Sequence, residues 1–583
     1  MDAVVVTGSR TEQRMRDALP HVTVITPREI RDSQAVDLPS LLRTEAGFEF
    51  TQNGGAGALT GIFMRGGRSA QALILVDGVR VEDAGFGTTA IQHLMLDQVE
   101  RIEVVRGNVS SLYGSGAIGG VVQVFTRRGQ GAPSGTVEAL LGARGTSRYG
   151  ATFGGQAGDT RFHVAASQFA TDGYSSIDTR VAPNANPDRD GYRNLSGSAS
   201  LSHRFSGQHE AGINWLATQG RLAFDSAFAT RTTEHTSAQD LESISGWWEA
   251  RPNDLWKSRF VASQGTDFRT DYTNNARANF SNTRSRQFSW DNDFRVHPEH
   301  VVSVGLESLR QTIANSAFTR LLARNVGVGR LGYVGRVDAH SFQANFRTED
   351  YSDFGGANTH LLAYGYDLTP EWKLIASKAT SFRAPTFQDL YGFGGNLALR
   401  PERTRTGEAG FQWAEGPHRV RFVAFSSRYE DSITFSAGAT RNVRNANVAG
   451  YEASYAGRVL GTDLRASVTL QDPVEQEPNA PELQAIRRAT QYGSLSAQRD
   501  FGPVRAGAEV VNSGPRADTH IVSGARVQDA GYTVVNFTAR WQIEKALHLS
   551  ARLENAFDRQ YQLVNGYNTP GRGLFVSLGW QGL

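Results

Sequence analysis

Gly114, Gly116 and Gly119 carry the G-x-G-x-x-G spacing that can cradle the phosphates of a dinucleotide. They run into "GVVQVF", which has the composition of a strand, so no helix N-terminus faces a phosphate and the glycines read as tight turns. Hydrolytic chemistry fares no better. There is no GxSxG elbow and no HExxH pair, and the 13 histidines are scattered singly. Cysteine is absent. What remains for the chain to work with is backbone pairing, buried charge and oxygen-rich loops.

The first candidate for backbone pairing is the opening stretch "DAVVVTGSR", Asp2 to Arg10. Three consecutive valines, Val4, Val5 and Val6, favour an extended strand, yet the run is too short to make a sheet alone. Either this chain supplies the partnering edge or another protein does.

The elements around these residues follow from pattern. From about Arg128 onward the chain becomes alternating segments separated by Gly, Asn, Asp and Pro clusters. In "ALHLSARLE" Leu547, Leu549, Ala551 and Leu553 alternate with His548, Ser550, Arg552 and Glu554; "GLFVSLGW" repeats the pattern with Leu574, Val576, Leu578 and Trp580. The second face is too polar to pack a dry sandwich: "HSFQANFR" sets Gln343, Asn345 and Arg347 against Phe342, Ala344 and Phe346. A membrane barrel with apolar side chains facing lipid satisfies both faces. No run nears the roughly 18 apolar residues of a spanning helix. At roughly 20 residues for each strand with its turn or loop, this region holds about 22 antiparallel transmembrane strands, a size associated with a plugged lumen.

The first 130 residues read differently. "PREIRDSQAVDLPSLLRTEAG" predicts short helices, and "ALILVDGVRV" and "QVERIEVVRG" predict buried strands, so an α+β plug domain (11–130) lies between a leading tail (1–10) and the barrel (131–583). The formal charge of +2 from 60 basic and 58 acidic residues, without a long basic run, excludes the footprint of a nucleic-acid binder. Met1 is followed by Asp2 with no basic or apolar leader, as in a cytosolic protein or a mature exported chain carrying a start Met.

These segments resemble the TonB-dependent receptors of the bacterial outer membrane, and within them the cobalamin transporters. The resemblance is carried by "DAVVVTGSR", "TQNGGAGALTGIFMRGG", "LILVDGVRV" and "VERIEVVRGNVSSLYGSGAIGGVVQVFT" in the plug. "SFRAPTFQDLYGFGGNLALRPE", "NVAGYEASY", "LENAFDRQY" and "YNTPGRG" carry it in the barrel. It implies a monomeric outer-membrane importer, in contact with lipid and lipopolysaccharide and with no enzymatic activity.

It also implies roles for particular residues. Asp2, Ala3, Val4, Val5, Val6, Thr7 and Gly8 correspond to the TonB box, the strand offered to the periplasmic energy transducer TonB. Arg65, Arg106, Glu408 and Glu452 match a buried plug–barrel charge cluster, the alternative being charges standing in lumen water. Asn53, Leu59, Thr60, Phe86 and Gly87 match ligand-contacting plug apices, the alternative being plain loop turns. Asp188, Asp190 and Asp225 match a loop site for structural calcium, although Ser175 and Phe224 stand where further oxygen ligands are expected and a solvated acidic turn explains the same residues.

The implied cargo is cobalamin, with a ferric siderophore or haem as the alternative. "FRAP" at Phe382 to Pro385 also occurs in haem receptors, but the following "TFQDLYGFGGNLAL" has no histidine to ligate iron. The C-terminus departs from the family pattern, placing Trp580 three residues before Leu583 where a terminal aromatic, commonly Phe, is expected.

Overall fold

The protein is seen here as a computed structural model, which describes residues 4–5 and 7–582 apart from 46, 437, 478 and 479. Antiparallel strands from Ser134–Gly142 to Gly573–Gly582 form a closed barrel of 22 strands. Closure is direct: the first strand pairs with the last, Val137 opposite Trp580 and Gly142 opposite Phe575. A closed barrel leaves no unpaired edge, which the bilayer interior would penalise.

Alternation is inverted relative to a soluble sheet. In His340–Tyr351, Phe342 and Phe346 are 39% and 47% exposed, whereas Gln343, Asn345 and Arg347 are buried at 2%, 4% and 3%. Apolar side chains therefore face outward and the polar face turns to a filled lumen. Trp580 belongs to the outward face of the last strand. Among the described residues no helix is long and apolar enough to cross a membrane.

One rim carries tight two-residue turns, such as 207–208, 254–255 and 298–299, and the other carries long loops, including 384–401, 514–531 and 555–572. Short turns mark the periplasmic end and long loops the extracellular end.

The plug fills the lumen with a five-stranded sheet ordered His21–Ile25, Val99–Arg106, Gly120–Thr126, Ala72–Val76 and Val79–Arg80. Its central strands read "VERIEVVR", "GVVQVFT" and "ALILV", nearly continuous apolar runs because both faces are covered. Helix Pro27–Ser33 starts at a capping box in which Thr26 accepts from the Glu29 amide, and helix Leu38–Leu42 starts where Asp37 accepts from the Ser40 amide. Gly114 and Gly116 adopt positive φ of 81° and 88° just after helix Ser110–Tyr113, as turns do and a phosphate cradle opening a helix does not. The hairpin of Phe48–Gln52 and Thr60–Met64 carries the first apex, and the second lies in the loop after Val79–Arg80.

Candidate coupling and ligand sites

Arg65 follows the strand Thr60–Met64 in a left-handed turn, and Arg106 ends the strand Val99–Arg106. Arg65 reaches the wall strands Glu402–Glu415 and Ala439–Val459, and Arg106 reaches the second of them. Arg65 Nη1 lies 2.8 Å from Glu408 Oε1 and its Nε lies 3.4 Å from Glu452 Oε2. Arg106 Nε lies 3.8 Å from Glu452 Oε1. Arg65, Arg106 and Glu452 are buried, so the four charges form one desolvated cluster.

The cluster has a fifth member that the sequence did not single out. His21 pairs in register with Arg106 across the plug sheet, and its Nδ1 lies 2.7 Å from Glu452 Oε1. Burial, then the neighbouring Arg106 charge, pushes His21 down to about 3, so the imidazole is neutral at pH 7. The adjacent glycines keep the cluster compact: a Cβ on Gly107 would overlap Glu408 Oε1, and one on Gly47 would meet Glu452 Oε2 at 2.6 Å.

At the leading tail, Asp2, Ala3 and Val6 lie outside the described residues. Val4 and Val5 pair with Arg14 and Gln13 of the same chain, and Val5 is fully buried. Thr7 donates its amide (3.1 Å) and hydroxyl (2.7 Å) to Glu103 Oε2, and Gly8 O accepts from Gln343 Nε2 at 3.0 Å. Arg10 bonds to Glu307 of the wall and reaches Asp291 at 3.7 Å. In this state the chain supplies its own edge, and the tail is fastened to both plug and wall.

The apices point to the extracellular side. Leu59 and Phe86 are the large apolar plug side chains left exposed among the described residues, at 58% and 50%. Asn53 is half-buried, its backbone amide donating to Leu59 O at 3.1 Å across the first apex. Thr60 is buried, its hydroxyl donating to Ala58 O at 2.9 Å, so it shapes the loop from below. The glycines of the first apex let it lie close against the wall, since Cβ atoms on Gly54 and Gly57 would strike Ser176 and Tyr192. In the second apex, Asp83 accepts from the Gly85 amide at 2.7 Å and from the hydroxyls of Ser281 and Thr283 at 3.2 Å. Gly87 takes φ +70° and its amide bonds to Asp83 O at 2.7 Å, which lifts Phe86 outward.

Asp188, Asp190 and Asp225 converge, with one carboxylate oxygen of each within 4.8 Å of the others. Burial, then the nearby Asp190, pushes Asp225 up to about 7. Three hard oxygen donors that repel one another fit a hard divalent cation.

The family description "TonB dependent receptor-like, beta-barrel" matches residues 135–556, and "TonB-dependent Receptor Plug Domain" matches residues 14–121. The chain is a TonB-dependent receptor. As such it resides in the bacterial outer membrane and is not an enzyme. The receptor is 28% identical to the vitamin B12 transporter BtuB of Vibrio cholerae serotype O1, over 100% of this chain and 95% of that one. It is 25% identical to the vitamin B12 transporter BtuB of Photobacterium profundum, over 99% and 95%. Its fold matches the siderophore receptor PirA of Acinetobacter baumannii (TM-score 0.84, 17% identity, 98% and 99% of the chains). It also matches the FrpB iron transporter of Neisseria meningitidis (TM-score 0.83, 14% identity, 96% and 99%).

Proposed function

We propose that this receptor imports cobalamin or a related corrinoid across the outer membrane, powered by TonB. The observation that carries the reading is likeness along essentially the whole chain, plug and barrel together, to proteins named vitamin B12 transporters. The solved structures named as siderophore receptors are below 25% identity and speak for the fold alone. Leu59 and Phe86 supply exposed apolar contact for a bulky ligand, and half-buried Asn53 supplies polar contact beside them. Calcium at Asp188, Asp190 and Asp225 orders the loop that packs behind the first apex, where Ser176 donates its amide to Asp190 Oδ2 at 2.7 Å.

Release needs outside work. A nanomolar ligand is held by about 12 kcal/mol, and the outer membrane supplies no gradient of its own to discharge it. TonB takes Val4, Val5 and their neighbours as an added strand once they leave Gln13 and Arg14. Pulling then acts on a tail whose next anchor is Arg10 and on a plug locked through Arg65 and Arg106.

The test is binding of cyanocobalamin, haem and a ferric siderophore to detergent-purified receptor, with and without calcium. Saturable cyanocobalamin binding, tightened by calcium, is expected; saturable binding of haem or siderophore alone overturns the cargo. Deleting Asp2 to Gly8 is expected to leave binding intact and abolish uptake.

A further inference from the structure

The barrel wall buries a carboxylate with one oxygen left over. Asp267 lies in the strand Trp256–Thr273 and is 2% exposed. Its Oδ1 accepts from Gln239 Nε2 at 2.7 Å, while its Oδ2 is buried without a hydrogen-bond partner. Gln239 belongs to the neighbouring strand on one side, His235–Asn253. On the other side Asp267 stands directly opposite Thr283 of the strand Ala276–His297. With Oδ1 taken up on the Gln239 side, Oδ2 is the oxygen left for the Thr283 side.

Thr283 is where the second apex docks. Its Oγ1 lies 3.2 Å from Asp83 Oδ1 and accepts from the Ala84 amide at 3.1 Å, and Ser281 Oγ lies 3.2 Å from Asp83 Oδ2. Asp83 is itself only 8% exposed. Directly opposite residues of an antiparallel pair have Cβ atoms about 5 Å apart, so Asp267 adjoins the hydroxyl that holds Asp83. Of the charges around Asp267, that of Asp83 acts on it most strongly. The plug backbone is pressed against the wall at this level, since a Cβ on Gly265, two residues before Asp267 on the same face, would overlap Arg80 O.

These two carboxylates have no cation of their own. The nearby arginine, Arg269, directs its Nε and Nη2 to Asp271 at 3.1 and 2.7 Å, and among the described residues neither Asp83 nor Asp267 forms an ion pair. Two like charges buried side by side are costly until a positive charge joins them. The oxygens present select its kind. Two carboxylates and the Ser281 hydroxyl are hard donors, and a cation about 2.4 Å from each oxygen bridges carboxylates up to about 5 Å apart. Arg269, two residues nearer the extracellular rim, has a side chain 40% exposed, so the site is within reach of ions from outside.

We propose that Asp83, Asp267 and Ser281 hold a hard divalent cation such as calcium, which fastens the second apex to the wall. The site is separate from Asp188, Asp190 and Asp225, which gather at the first apex. Asp83 is the hub of its loop: its amide donates to Thr88 O at 2.9 Å, and its carbonyl accepts from the amides of Phe86 and Gly87 at 3.2 and 2.7 Å. Holding the Asp83 carboxylate therefore holds the turn that presents Phe86.

Equilibrium dialysis of the chelator-treated, detergent-purified receptor against radioactive calcium at about 1 mM, the range of extracellular sites, tests this. Asp267→Asn, isosteric and uncharged, is expected to bind one ion fewer than the parent, and Asp188→Asn/Asp190→Asn/Asp225→Asn is expected to keep that ion. A spin label attached at Phe86→Cys is the single thiol in a chain without cysteine. In the triple loop variant the label is expected to lose mobility when calcium is added, and to stop responding once Asp267→Asn is combined with it. Heat-modifiable gel mobility verifies that each variant keeps a closed barrel. An unchanged ion count in Asp267→Asn, or a label indifferent to calcium in the triple variant, overturns the proposal; a proton shared by the two acids in place of an ion gives both results. Neither measurement contains cargo, so failure here leaves the cobalamin reading standing.

Discussion

His21 of the plug stands 2.7 Å from Glu452 of the barrel wall, in a cluster where Arg65 and Arg106 approach the same carboxylate. The wall charge on which the plug is seated is thus shared by three plug side chains from three separate segments. Removing either arginine leaves the remaining charges buried with incomplete compensation, whereas removing neutral His21 takes away the nearest neighbour of Glu452 Oε1.

Glu452→Ala is expected to weaken plug seating by about 3–5 kcal/mol, because Arg65 and Arg106 lose their shared counter-charge. The barrel should persist, since its ladder does not pass through the cluster. The chain lacks cysteine, so one introduced at a buried plug site reports seating directly. Thiol labelling no faster than in the parent would refute the role.

Plug seating should also depend on pH with a definite sign. His21 sits near 3 in place and returns to about 6.5 when the plug leaves, so below about 6.5 the unseated form binds the extra proton. This contribution to seating is complete above pH 6.5 and falls by about 1.4 kcal/mol per pH unit between 6.5 and 3. His21→Gln should flatten that dependence in urea-induced plug release.

Gly107→Ala is expected to behave as a cluster mutant although it carries no charge. Its Cβ would overlap Glu408 Oε1 at φ +87°, so both the backbone and the Glu408 contact must give. A loss of at least about 1–2 kcal/mol of plug seating is the expected reading, by the same labelling.

Arg10→Ala should free the leading tail. Losing the Glu307 bond, a charged hydrogen bond of about 1.5–3 kcal/mol, should raise the undocked population at least about tenfold. A spin label at position 5 should become mobile in the variant while remaining immobile in the parent.

The acidic loop should trade protons for cations. Asp225 is pushed up to about 7, so without an ion it holds its proton below that pH, and loop order is lost as pH rises through about 7 when the carboxylates repel. Calcium should restore protease protection of the 175–189 loop most strongly above pH 7. Asp190→Asn should abolish that calcium effect.

What the sequence determined by itself was whatever depends on neighbours along the chain. Period-two alternation in "HSFQANFR" and "GLFVSLGW" is a local pattern, and its polar second face already required a lumen; the count near 22 follows from length. The short helices were legible in "PREIRDSQAVDLPSLLRTEAG", and the fold starts them at caps on Thr26 and Asp37, which act within three residues.

Tertiary structure decided what depends on distant partners. Arg65 and Glu452 are 387 residues apart, and the family pattern named both but nothing local marked His21, which joins them only because its strand pairs with Arg106. The sequence left the apices as ligand contacts or plain turns, and the fold shows the glycines of the first one, Gly54 and Gly57, pressed against Ser176 of a loop and Tyr192 of the wall. The valine tail left its partner open, and folding brought Gln13 and Arg14 to its edge. The approach of Asp267 to Asp83 is likewise set by register, since they meet across Thr283, which strand pairing alone places opposite Asp267.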